Sequence, residues 1–377
     1  MIYFDYNATT PVDKRILDAT IPYYLSCYGN PSNKNSPHGK EADRAFKNAL
    51  WTIADYFHVD AIDNIILTSG ATESNNLVLR SFFNAAKKPC RIITTRIEHD
   101  SILKTLESFG DEVIIDYVKN DGNGLIDLED LENKICDDTC LITIMGANNE
   151  IGTIQPIDEI VEIAHRHNIP VHSDVTQYVP HKRVDLSKTK IDYISLSGHK
   201  IYGPKGVGLL ICRTDEALAK ITPQITGGGQ QNGYRSGTIN VPGAVSIAEA
   251  IRLLDEEIEK DTALSQMLYD SFFEVLDQRA IPYRLNGDPV NRIHGNISIS
   301  VDGLTSVQLL AMLPGYSIST GSACSTGKKS HVMVAIGCPD SVISGTIRIG
   351  VGRFSKKEEV VGLANKIADI YDKIVKS

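Results

Sequence analysis

Between residues 64 and 213 the chain alternates short apolar runs with longer stretches whose apolar residues recur at helical spacing. The apolar runs predict strands at Ile65–Thr68, Arg91–Thr95, Val113–Val118, Leu141–Met145, Val171–Asp174, Tyr193–Leu196 and Val207–Cys212. The helical spacing predicts helices over Thr72–Ala86, Asp127–Cys136 and Ile157–His167. Strands and helices in this alternation make an α/β unit with a largely parallel sheet, whose ligands bind beyond the carboxyl ends of the strands. After Val241 the pattern changes to a long helix, roughly Gly243–Gln278. Then come a strand at Ile297–Val301, a helix near Ser306–Leu313 and a final helix from about Lys356. These read as a second, smaller α+β unit, with the opening segment to about Pro11 packed on it. The expected division is a large domain over 12–255, and a small domain formed by 1–11 with 256–377.

Composition narrows the class. Of 377 residues, 42% are hydrophobic and 23% charged, as in soluble globular proteins. A net charge of -9 argues against general affinity for nucleic acid or anionic membrane. No apolar run is long enough for a bilayer, and the opening MIYFDYNATTP does not resemble a signal peptide. Seven cysteines, odd in number and irregularly spaced, suggest free thiols in a reducing, cytoplasmic setting. Cys136 and Cys140 have no second pair nearby, so no metal site is expected there.

Several polar residues follow the expected strand ends. In Ser195–Gly206, SLSGHKIYGPKG, Lys200 lies just past a strand among small residues. A lysine so placed suits a Schiff base with pyridoxal 5'-phosphate (PLP), because partial burial lowers its pKa and glycines admit a ring. A lysine in a surface turn is the plainer alternative. Asp174 ends a buried strand, where a carboxylate needs a cation; the pyridinium nitrogen of PLP is one, and a helix cap or loop salt bridge would serve too. Thr68–Ser74, TSGATES, joins a strand to a helix and suits a phosphate on the helix N-terminus, though Ser and Thr cap many helices. His99 follows another strand and could stack on a ring, relay a proton or simply pack. Asn148 and Asn149 follow a further one, where adjacent amides often form turns. Cys324 sits in a run of small residues, Ser317–Gly327, followed by Lys328, Lys329 and His331, which would favour a thiolate, though an incidental loop cysteine is the plainer alternative. Arg348, on an apparent strand, fits either a bidentate grip on a carboxylate or a structural salt bridge.

Taken together and in this order, these segments resemble the cysteine desulfurases, class V relatives of the fold-type-I PLP aminotransferases. The resemblance runs through FDYNATTP at Phe4–Pro11, YGNPS at Tyr28–Ser32, SGATES, NNEIG at Asn148–Gly152, SGHKIYGPKG, RSGT at Arg235–Thr238 and GSACS. It implies the PLP-dependent transferase fold of type I, with a mainly parallel seven-stranded sheet. It also implies a first-group cysteine loop, long and mobile, at about 317–332. Lys200 would hold PLP and move the Cα proton, Asp174 would pair with the pyridine nitrogen, and Gln177 and Asn149 would lie near the ring hydroxyl. Asn149 would also lie close to the substrate. His99 would stack on the ring. Ala71, Thr72, Ser197 and His199 would hold the phosphate, Thr238 would reach the phosphate of a neighbouring subunit, and Arg348 would bind the substrate carboxylate. The implied reaction takes sulfur from L-cysteine, leaving alanine and a persulfide on Cys324, in a homodimer with shared sites. A sulfur-acceptor protein is implied as partner, serving iron–sulfur assembly, transfer RNA thiolation or DNA phosphorothioation.

The chain departs from the family pattern at Gly146–Ala147, where His-Val is frequent, at Val175, where Ala is common, and at Gln230-Gln-Asn232, where His-Glu-Arg is common. It also ends soon after its last helix, without the tail with which housekeeping members dock an iron–sulfur scaffold, so that partner is in question. A transaminase or selenocysteine lyase on this fold would keep Lys200 and Asp174 but need no Cys324. A non-catalytic binding subunit would need neither.

Overall fold

The computed structural model describes residues 1–86, 89–320 and 329–376. Its strands are β1 (Ile2–Tyr3), β2 (Ile65–Thr68), β3 (Cys90–Thr95), β4 (Val113–Val118), β5 (Thr139–Thr143), β6 (Val171–Asp174), β7 (Tyr193–Ser197), β8 (Gly208–Cys212), β9 (Tyr283–Leu285), β10 (Asn296–Val301), β11 (Tyr316–Ser317) and β12 (Thr346–Gly350). Seven of them form the central sheet, in the order β2-β8-β7-β6-β5-β3-β4. Only β8 runs against its neighbours; the other pairings in this sheet are parallel. The carboxyl ends of β2, β3, β5, β6 and β7 therefore share one edge.

Every residue of β6, β7 and β8 is buried, as expected of strands covered on both faces. Alternation sorts their side chains: Leu209 and Ile211 enter one core, Leu210 and Cys212 the opposite one. The first core lies under the helices Pro37–Phe57, Ile157–Arg166 and the first half of Val241–Gln278; the second lies under Ala71–Ala85 and Asp100–Glu107. Ser36 caps Pro37–Phe57, its oxygen accepting from Gly39 N at 3.0 Å, with Pro37 in the first turn. His58 ends the helix in the left-handed conformation. Fully burying a Leu or Ile here contributes about 1.5–3 kcal/mol, so the two faces stabilise the sheet together.

A three-stranded antiparallel sheet, β12-β10-β9, has its own core, including Phe4, Phe272, Ile297, Ile299, Ile347 and Ile367. Helix Val241–Gln278 passes from the first core, where Ile258 sits, into this one at Leu268. The opening segment packs beside the small sheet: β1 pairs in parallel with β11, and Asp5 bridges Gly350. Among the described residues no helix is long and apolar enough to cross a membrane.

Candidate active site

Lys200 follows β7 in one turn of 3-10 helix, Gly198–Lys200. That turn is held by Gly198 N, which donates to Val207 O at 3.0 Å, and by Gly203 N, which donates back to Gly198 O at 2.9 Å. Here β8 runs against the loop before helix Ala71–Ala85; a Cβ on Gly208 would lie 2.5 Å from Gly70 Cα, so no larger residue fits. The Lys200 amine points into the space at the sheet edge and donates to the carbonyl oxygen of Asn7. Burial, and secondarily the charge of Arg348, lowers its pKa from 10.5 to about 8, against the opposing pull of Asp174 and Asp5.

Asp174 ends β6 and is 7% exposed. Its Oδ1 accepts from Thr176 N at 3.0 Å and its Oδ2 from Asn75 Nδ2 at 2.8 Å. Gln177 Nε2 donates at 2.8 Å to the same Asn7 carbonyl that receives Lys200. His99 caps helix Asp100–Glu107: its Nδ1 accepts from Ser101 N at 3.1 Å.

Helix Ala71–Ala85 starts at the cavity with no side-chain bond from its own cap residue. Instead Ser197 Oγ reaches across from β7 and accepts from Ala71 N at 2.7 Å. Such a helix start offers N–H groups and a partial positive charge to an anion. His199 Nδ1 lies 3.1 Å from Thr9 Oγ1. Burial, then the charges of Lys200 and Lys205, lowers the pKa of His199 from 6.5 to about 4.

Arg348, on β12, is 6% exposed and held at both ends of its fork: Nη1 donates to Asn149 O at 2.9 Å and Nη2 to Asp5 Oδ1 at 3.0 Å. Its Nε is buried with no partner among the described residues. Glu98, next to His99, is wholly buried; burial raises its pKa from 4.5 to about 8. Its Oε1 accepts from Thr95 Oγ1 at 2.7 Å and Met145 N at 3.1 Å.

Glu98 lies behind the wall; Lys200, Asp174, Gln177, His99, Ser197, His199 and Arg348 surround one cavity of about 320 Å³. The sequence-predicted residues Ala71, Thr72, His99, Asn149, Asp174, Gln177, Ser197, His199, Lys200 and Arg348 all line it. Asn148 does not; its amide is spent on Ile97 O, Glu150 N and Ile151 N, so it shapes the turn that presents Asn149. Thr238 is exposed and outside the cavity wall. Cys324 and Lys328 fall outside the described residues. Lys329 and His331, expected to favour a thiolate, have partners of their own: Lys329 Nζ bonds Asp340 Oδ2 at 2.7 Å, and His331 Nε2 bonds Glu98 O at 2.9 Å.

The wall also includes Asn7, Ala8, Met145 and Thr176, which sequence reasoning did not single out, and Ala147, which it noted as a departure from the family pattern. Asn7 and Ala8 sit within the FDYNATTP segment, but Asn7 contributes a backbone oxygen, which residue chemistry does not reveal.

Comparison with known proteins gives the family of the chain. The family described as aminotransferase class-V matches residues 2–363. The chain is 38% identical to a cysteine desulfurase IscS of Rickettsia prowazekii (strain Madrid E) over 99% of this chain and 92% of that protein. The solved structure of a NifS-like protein superposes with a TM-score of 0.90 at 34% identity, covering 99% of each chain. A structure of SspA in complex with cysteine superposes at a TM-score of 0.82 with 33% identity, over 94% of this chain and 100% of that one. The chain belongs to the class-V aminotransferase family, and within it to the group of the cysteine desulfurases.

Proposed function

We propose that this protein is a PLP-dependent cysteine desulfurase, moving sulfur from L-cysteine to Cys324 and releasing alanine. The observation that carries the reading is one cavity holding a buried lysine of lowered pKa, a strand-end carboxylate and a helix N-terminus. These are the partners that an aldehyde, a pyridine nitrogen and a phosphate require, an amine, an acceptor and N–H donors, so the residues fit PLP. Lys200 would hold it, Asp174 would face the ring nitrogen, and Gln177, Asn149 and His99 would contact the ring. Ala71, Thr72, Ser197 and His199 would hold the phosphate. The fit has a steric counterpart: a Cβ on Gly70 would come within 3.3 Å of Ser197 Oγ and crowd the phosphate cradle.

When bound, PLP supplies an electron sink that weakens the Cβ–S bond of the amino acid. Lys200, whose pKa burial lowers to about 8, can take a proton from Cα and return it. Arg348 gives the substrate carboxylate a cation whose position is fixed by Asp5 and Asn149. The Cys324 thiolate forms a bond to the substrate sulfur as the Cβ–S bond breaks, and the carbon is reprotonated to alanine.

The working unit in this reading is a homodimer. Exposed Thr238, absent from its own cavity wall, would serve the cavity of a second copy. The exposed apolar side chains Leu17, Tyr24, Leu25 and Tyr28 supply area for such a partner. The persulfide then passes to an acceptor protein, in a reducing, cytoplasmic setting; six described cysteines are free thiols.

The test is to load the purified protein with PLP and add L-cysteine. Equal release of alanine and transferable sulfur is expected. Alanine without sulfur on the protein, or keto acid in its place, would make it a different PLP enzyme.

A further inference from the structure

Asn75 and Ser101 lie behind the cavity wall and are not part of it. Asn75 is 0% exposed and Ser101 8%. Asn75 Nδ2 donates to Asp174 Oδ2 and to Ser101 Oγ, both at 2.8 Å. Both amide hydrogens are thereby used, while Asn75 Oδ1 is buried with no partner among the described residues. The reversed amide would set its oxygen against the carboxylate, so the chain tolerates an unsatisfied carbonyl to keep this orientation.

The donors then fall in a fixed sequence. Ser101 Oγ accepts from Asn75, which leaves its own hydrogen for His99 Nδ1, 2.8 Å away. Ser101 N–H is aimed at the same nitrogen from 3.1 Å, as the first bond of a helix cap. A backbone N–H cannot reverse its polarity, so it and the Ser101 hydroxyl together favour Nδ1 as acceptor and the ring hydrogen on Nε2. Among the described residues Nε2 has no hydrogen-bond partner, and the ring lines the cavity.

We propose that Asn75 and Ser101 are positioning residues which hold His99 in the Nε2–H form, so that His99 offers the cavity a hydrogen-bond donor and not a base. The proposal rests on the desulfurase reading for its consequence. The substrate group that meets His99 would accept its hydrogen, as a thiolate does better than an S–H, and the proton from Cα would fall to Lys200. One amide, Asn75, would set both the carboxylate behind the ring nitrogen and the histidine over the ring.

The decisive measurement is nitrogen NMR of the holoenzyme labelled with 15N-histidine, between pH 6 and 9. While the ring is neutral, the expected signals are a bare Nδ1 and a protonated Nε2 for His99; a protonated Nδ1 with a bare Nε2 overturns the proposal. Ser101→Ala keeps the backbone donor but removes the hydroxyl. It is expected to let the Nδ1–H ring form appear beside the Nε2–H form and to alter the pH profile for cysteine binding. Ser101→Thr should restore both. Asn75→Leu, which can bond neither neighbour, should reproduce the Ser101→Ala shift. An unchanged ring spectrum and pH profile in Ser101→Ala, or failure of Ser101→Thr to restore them, would remove Ser101 and Asn75 from this role. If neither replacement folds, the wild-type spectrum still decides the ring form. The ring measurement needs no turnover, so its failure is separable from failure of the desulfurase reading.

Discussion

Lys200 Nζ donates to the carbonyl oxygen of Asn7, a residue 193 positions earlier in the chain. The contact ties the opening segment, which packs with the small sheet, to the turn after β7. The amine is thus oriented by backbone, with Gln177 bonded to the same oxygen. An amine buried this deeply carries a signature in stability as well as in chemistry.

In the apoenzyme, Lys200 has a pKa of about 8 against 10.5 in the unfolded chain. Between those values the unfolded chain binds more protons, so stability rises with pH there and is lost as pH falls through 8. The full difference is on the order of 3 kcal/mol. Lys200→Met should abolish this slope and make the apoenzyme more stable at pH 7. Unfolding by denaturant at pH 7 and pH 10 checks it, and Lys200→Met should lose all lysine–PLP absorbance.

Glu98 should show the opposite slope. Burial raises its pKa to about 8, so the folded chain holds the proton that the unfolded chain loses above its ordinary value of 4.5. Its contribution is complete below pH 4.5 and disappears as pH rises to 8. Glu98→Gln keeps the acceptor for Thr95 and Met145 without a charge. Thermal midpoints of Glu98→Gln should therefore fall less than wild type between pH 6 and 9.

Arg348→Lys should separate substrate binding from chemistry. A lysine cannot span Asp5, Asn149 and a carboxylate with one planar fork. KM for L-cysteine is expected to rise by roughly 10–100-fold, the loss of one charge-assisted pair, with a smaller fall in kcat. Steady-state kinetics would show it.

If Thr238 serves the cavity of a second copy, two defective variants should complement each other. Lys200→Ala lacks the amine; Thr238→Tyr should block the neighbouring phosphate site. A heterodimer has one cavity with both residues intact. Mixing the two after mild denaturation and refolding should restore part of the activity, whereas a self-contained monomer would restore none.

Much of this fold could be read from apolar periodicity. The expected β2, β4 and β6 match the structure residue for residue: Ile65–Thr68 and Val113–Val118 are bounded by polar residues, and Val171–Asp174 runs from Pro170 to a carboxylate. Helix Pro37–Phe57 was not anticipated, although it fills a large part of the first core. Its buried stripe includes Gly39, Ala42, Ala45, Ala49 and Ala54, small residues that give a weak periodic signal, and its Ser36–Pro37 start was the clearer cue. The cavity wall was legible where a side chain supplies the polar group, as at Lys200, Asp174 and Arg348. The candidate site was not legible where the backbone does, as at Asn7, or where long-range packing buries a charge, as at Glu98. Asn75 and Ser101 were hidden for a related reason: polar residues early in two helices look like caps until the fold brings them together behind Asp174.

The most direct test of the central claim is a single turnover of the Cys324→Ser holoenzyme with L-cysteine, with mass spectrometry of the protein and assay of alanine. The wild-type chain should gain one sulfur atom on Cys324 and release one alanine, while Cys324→Ser binds cysteine, carries no added sulfur and releases almost no alanine. Release of alanine and sulfur at the wild-type rate from Cys324→Ser would contradict the assignment.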